Sequence, residues 1–174
     1  MSDLYAVAYK SRATRHCSDV DLYYLLAQAR ACNSAMDLTG VLVYDRGFFF
    51  QWLEGPKETL RQVWASIGAD PRHTDLEVVF DDYRLFRLFG GWSMQFAHRD
   101  KDHQRTVRSA LTFDACLLDE LHASPQSLPE LFATFGTESG LVRHPSAVAS
   151  NDEASITTSA SLRVRNRGRC DYTR

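Results

Sequence analysis

The chain has 174 residues, with 20 Lys and Arg against 22 Asp and Glu and a formal net charge of −2. Its 44% hydrophobic and 24% charged residues suit one globular domain with an extension, and the charge balance argues against a general nucleic-acid binder. No apolar run approaches the roughly 18–20 residues of a membrane span, and Met1-Ser2-Asp3-Leu4 lacks the features of a signal peptide, so a cytoplasmic address is expected.

Cys17, Cys32, Cys116 and Cys170 show no CxxC pattern, and the six histidines are scattered, so no zinc site is expected. Reduced, unpaired thiols are the expectation.

Leu4–Tyr9 reads as a strand. Ser18-Asp19-Val20-Asp21 then offers an N-cap with an acidic residue three positions on. Leu22, Leu25, Leu26 and Ala29 follow at the spacing of one helix face, and the helix fades near Asn33-Ser34. Leu38–Tyr44 and Phe48–Leu53 form a hairpin about Asp45-Arg46-Gly47. Gly55-Pro56 breaks the second strand and opens another helix, whose apolar face is Leu60, Val63, Trp64 and Ile67. Asp70-Pro71 ends it, because the residue before a proline is pushed out of the α region.

Leu76–Phe80 is the expected fourth strand, and Trp92–Phe96 the fifth. The order β-α-β-β-α-β plus one strand is α+β and ferredoxin-like, with two helices on one sheet face. Beyond Phe96 the stretch His98–Glu120 is charged and moderately amphipathic, with Val107, Ala110, Leu111, Ala115 and Leu118 available for one face. Leu128–Phe135 fits a further short helix. From about Glu138 the composition turns to Ser, Thr, Ala and Asn, with Arg163, Arg165, Arg167, Arg169 and Arg174 near the end. Such a segment builds no core of its own and is expected to be mobile or to order only on a partner.

Gln51 is the anomaly, an amide in the middle of the most aromatic strand. Burying it unpaired would cost about 1–3 kcal/mol. Strands one and three are adjacent in a ferredoxin-like sheet, so Tyr9 and Gln51 are expected side by side under the helices, with Asn33 closing a ring of donors and acceptors. Trp92 and Met94 bring two further oxidisable side chains on strand five. Trp52 is expected on the opposite face from Gln51, under a C-terminal helix or an interface.

Five segments in order, Tyr9-Lys10-Ser11-Arg12, Asn33 before Leu38-Thr39-Gly40, Phe49-Phe50-Gln51-Trp52-Leu53-Glu54-Gly55, Asp70-Pro71-Arg72-His73 and Gly91-Trp92-Ser93-Met94, resemble the BLUF domain of blue-light sensors that use FAD. The resemblance spans roughly residues 3–97. It implies a flavin ring held between the two helices over the sheet, with Gln51 as the switching glutamine and Tyr9 as the tyrosine it bonds. Asn33 matches the asparagine at the pyrimidine edge, while Asp70, Arg72 and His73 match a loop near the flavin side chain. Leu25 and Ile67 are candidate apolar walls. It further implies light-driven electron and proton transfer from Tyr9, reorientation of Gln51, and a signal passed through Trp92 and Met94.

The implied organisation is a flavin-binding domain over 1–97, a helical extension over 98–136 and a tail over 137–174. An extension of this size houses no output enzyme, so the expected partner is a downstream signalling protein, together with self-association into a homo-oligomer. A flavin-dependent redox enzyme is the main alternative, although the chain has no dinucleotide glycine motif. A sheet-platform RNA-binding module, suggested by Phe48-Phe49-Phe50, is disfavoured by the charge.

Overall fold

The computed structural model describes residues 3–98 and 111–138. Strand β1 (Leu4–Ala13) leads to helix α1 (Asp19–Ala35), then β2 (Thr39–Asp45), β3 (Phe48–Pro56), helix α2 (Lys57–Gly68), β4 (His73–Tyr83) and β5 (Gln95–His98). A two-residue β6 (Leu111–Thr112), α3 (Ala115–Ala123), a 3₁₀ turn over Pro125–Ser127 and α4 (Leu128–Glu138) complete the described chain. The sheet order is β4-β1-β3-β2-β5-β6. The first four strands pair antiparallel, and β5 and β6 add in parallel. The ferredoxin-like α+β arrangement with its fifth strand is present, and β6 extends it.

Local chemistry sets the boundaries. The side chain of Ser18 accepts from the Asp21 amide and Asp21 returns a bond to the Ser18 amide, a complete capping box at the start of α1. Arg15 reinforces it through two contacts to the Asp21 carboxylate at 2.7 and 3.0 Å. Between β2 and β3 the turn residues Arg46 and Gly47 both have positive φ, 49° and 80°, as the tight hairpin connection requires. Gly40 on β2 lies where a Cβ would stand 2.0 Å from the Trp52 carbonyl oxygen, so no larger residue fits there.

Alternation along β3 divides the interior in two. Phe49, Gln51 and Leu53 face α1 and α2, where Leu22, Leu26, Leu60, Val63 and Ile67 complete the front core. Phe50 and Trp52 face the other way, against Leu118 and Leu121 of α3 and Leu128 and Phe132 of α4. Trp52 is fully buried under the C-terminal helices, on the face opposite Gln51.

Three expectations are corrected. The fifth strand is Gln95–His98 rather than Trp92–Phe96, because the Trp92 amide closes a turn onto the Phe89 carbonyl and pairing with β2 begins at Val41 and Gln95. Within the described part of the stretch 98–120, which resumes at Leu111, helix starts at Ala115. Leu111–Thr112 pairs with β5, and Asp114 caps α3 at the Cys116 amide. Cys17 and Cys116 are free thiols, but Cys32 is disulfide-bonded, so the expectation of reduced thiols fails at that residue. Val107 and Ala110, and the tail beyond Glu138 with its arginines, lie outside the described residues. Among the described residues no helix is long and apolar enough to cross a membrane.

Candidate functional site

Between the front of the sheet and the two helices lies an open-mouthed cleft of about 410 Å³, a figure that includes open solvent. Its walls are apolar: Leu25 and Ala29 from α1, Ile67 from α2, and Leu42 and Phe49 from the sheet. Its polar groups are Tyr9, Gln51, Asp70, Arg72 and His73.

Tyr9 and Gln51 are direct partners across the β1–β3 ladder. The Tyr9 hydroxyl donates to Gln51 Oε1, and both residues are 4% exposed. The Tyr9 ring also meets Trp64 of α2 edge-on, with centroids 5.1 Å apart, which fixes its plane. Gln51 Nε2 lies 3.7 Å from the sulfur of Met94, a weak acceptor. A buried amide donor spent only on a weak sulfur acceptor, at the edge of an apolar cleft, fits a ligand carrying carbonyl acceptors on a flat ring.

The remaining polar residues are well anchored. Asp70 holds the Arg72 guanidinium through Nε and a terminal nitrogen at 2.9 and 2.5 Å, and Arg72 reaches Gln28 of α1 at 3.3 Å. His73 uses both ring nitrogens: Nε2 is 2.8 Å from the Ile67 carbonyl and Nδ1 is 2.8 Å from the Ser11 hydroxyl. The carbonyl can only accept, so Nε2 carries a proton, while the Ser11 hydroxyl can either donate to or accept from Nδ1.

Seven of the sequence candidates therefore line one cleft: Tyr9, Gln51, Leu25, Ile67, Asp70, Arg72 and His73. Asn33 is fully buried just beyond it and donates from Nδ2 to the Ser93 carbonyl at 2.6 Å. Met94 joins the front core beside Gln51. Trp92 lies elsewhere, packed against the rear core, with its carbonyl accepting from the Gly40 amide at 3.1 Å. Three lining residues were not singled out from the sequence for this site, although signals existed. Ala29 is one turn from Leu25, Phe49 is two residues before Gln51, and Leu42 is its cross-strand partner. Arg30, three residues before Asn33, also escaped notice.

Residues 4–95 match the family model described as BLUF, sensors of blue-light using FAD. A photoactivated adenylate cyclase subunit beta of Euglena longa is 41% identical over 78 residues, covering 45% of this chain but 9% of that protein. The blue light- and temperature-regulated antirepressor BluF of Escherichia coli K12 is 35% identical over 71 residues, 41% of this chain and 18% of that one. The chain thus spans less than a fifth of either relative's length. Among solved structures, the dark state of BlrB, a BLUF protein, superposes with a TM-score of 0.65 at 27% identity, over 79% of this chain and 98% of that one.

Proposed function

Because the chain belongs to the BLUF family of sensors of blue light using FAD, we propose that its front cleft takes the flavin ring, with Gln51 as a hydrogen-bond switch and Tyr9 as its electron and proton donor. The observation that carries this reading is the buried Tyr9–Gln51 hydrogen bond at the edge of an apolar slot, with the amide's nitrogen held only by the weak acceptor Met94 Sδ.

Bound flavin supplies absorption of blue light and, once excited, an acceptor for one electron and one proton. Tyr9 is suited to give both, since its phenol is oxidisable and its proton already sits in a hydrogen bond. Gln51 holds that proton's position through Oε1 and presents Nε2 to Met94. Rotation of the amide, or its tautomerisation, exchanges donor and acceptor within almost the same volume. Glutamate would add a charge, and leucine would offer neither role. Leu25, Ala29 and Ile67 keep water from the pair, so each hydrogen bond has its low-dielectric strength.

Asn33 would reach the pyrimidine edge, and Asp70, Arg72 and His73 the flavin side chain; FAD, the flavin of the family's description, is the form proposed. The buried thioether of Met94 is the first group outside the cleft to feel a turned amide, and its segment runs directly into β5. Trp92, from the rear face, would report the movement of that segment. The proposed organisation is a flavin domain over 1–97, a helical extension over 98–136 and a tail over 137–174. Output would run through a signalling partner and self-association in the cytoplasm, in keeping with relatives named for two different outputs, a cyclase and an antirepressor.

The test is optical. Purified chain supplied with FAD should be yellow and show a small red shift under blue light that reverses in darkness. A colourless protein that refuses FAD would overturn the reading, and a flavoprotein that bleaches in light without a reversible shift would favour a redox enzyme.

A further inference from the structure

Helix α1 grips the segment before β5 at two consecutive carbonyls. Arg30 Nε donates to the Met94 carbonyl at 2.9 Å, and one turn later Asn33 Nδ2 donates to that of Ser93. Met94 is 2% exposed, and its sulfur is the acceptor of the Gln51 amide. One residue is therefore held at its backbone by Arg30 and at its side chain by Gln51.

The setting of Arg30 is unusual for a structural arginine. It is partly buried, burial pushes its pKa down, and among the described residues no carboxylate pairs with it. A partly desolvated cation spending its directional Nε donor on a neutral carbonyl is not placed there by ion pairing. What it does is fix a position: the Nε–H lies in the rigid guanidinium plane, so the bond sets both the distance and the direction of the Met94 carbonyl. When the Gln51 amide turns, Oε1 replaces Nε2 opposite the sulfur, two acceptors face each other, and the side-chain tie is lost. The backbone tie to Arg30 is then the restraint that keeps the thioether near its former place.

Resting on the switch reading of Gln51, we propose that Arg30 is a positioning residue of the light switch. Its guanidinium, seated on the Met94 carbonyl, keeps the thioether within reach of the Gln51 amide and so sets the rate of return to the dark arrangement. Among the described residues the hydrogen bond of the Arg30 side chain goes to Met94 and not to Tyr9 or Gln51, which separates its effect on recovery from any effect on the light-driven step.

The test uses the flavin-loaded full chain, a blue-light pulse, and the decay of the absorbance shift in darkness. Arg30→Met should retain the shift and slow recovery by about tenfold, the order set by one lost charge-assisted hydrogen bond. Arg30→Lys, which keeps the charge and a single donor, should fall between the two. In a Met94→Ala background the Arg30→Met effect should vanish, because no thioether remains to be placed. Recovery unchanged in Arg30→Met, or slowed equally with and without the Met94 side chain, would overturn the proposal. If Arg30→Met fails to load flavin, the same cycle is run with Arg30→Lys, with the same coupling expected at smaller size and its absence equally fatal. A wild-type chain with no reversible shift would overturn the switch reading itself, whereas a normal wild-type shift with uncoupled Arg30 variants would overturn the clamp alone.

Discussion

Phe50 meets His122 edge-on, with ring centroids 5.2 Å apart and planes at 89°. Phe50 is the neighbour of Gln51 in β3, so one strand carries the cleft's amide on its front and a contact with α3 on its rear. The His122 ring is fixed from the other side by Asp45, whose Oδ2 lies 2.9 Å from Nε2 at the end of β2. Arg46 and Asp119 add an exposed ion pair between the same two elements.

Removing this tie should loosen α3 without disturbing the cleft. His122→Ala is expected to cost about 1–2 kcal/mol of stability and to raise hydrogen exchange in α3 while leaving β1 and β3 protected. Exchange rates in α3 equal to wild type would show that the Asp45 pair contributes nothing to docking.

Glu54 is a second buried anchor. It is 0% exposed, yet its carboxylate accepts from the Trp52 indole at 3.0 Å, the Leu88 amide at 2.9 Å, the Phe89 amide at 2.6 Å and the Thr39 hydroxyl at 3.2 Å. Four donors satisfy the charge and pin the segment that leads into Gly90-Gly91-Trp92. Glu54→Gln puts a donor among donors and should destabilise the chain by about 2–3 kcal/mol, read as a lower urea midpoint at unchanged slope. A midpoint matching wild type would contradict the assignment.

The α1 cap should appear in the acid limb of stability. The Arg15 guanidinium beside Asp21, followed by the Ser18 side chain and amide, holds the Asp21 carboxyl far below its ordinary value of 3.8. A carboxylate whose pKa is depressed on folding contributes stability that is present above the ordinary value and drains away as pH falls below it. Asp21→Asn should therefore lower Tm at neutral pH and converge with wild type in acid. Parallel curves across that range would rule out the linkage.

How much of this could be read from residues alone depends on the range of the interactions. Strand and helix identities followed from local pattern: period two in Phe48–Leu53, helical spacing in Leu22–Ala29, and turn chemistry at Arg46-Gly47. The pairing of Tyr9 with Gln51 followed from topology plus alternation. The start of β5 did not, because Trp92 has the composition of a strand residue while its amide is taken by the Phe89 carbonyl. The face that Trp92 occupies is likewise decided by packing against the rear core. Arg30 was invisible for the same reason: its partner is a backbone carbonyl 64 positions away, and backbone atoms leave no mark in the residue pattern.

Tyr9→Phe separates binding from photochemistry. The ring still packs against Trp64, so flavin should be retained, but the donor to Gln51 is gone. The normal reversible shift should be lost, as read by difference spectra under blue light. An unchanged shift would remove Tyr9 from the light-driven step.

The most direct measurement is the light-minus-dark absorption spectrum of Gln51→Leu, loaded with flavin alongside wild type. Leucine fills similar space without donor or acceptor, so the variant should be yellow and show no reversible red shift, while wild type shows one. A full wild-type shift in Gln51→Leu would mean that the amide is not the switch.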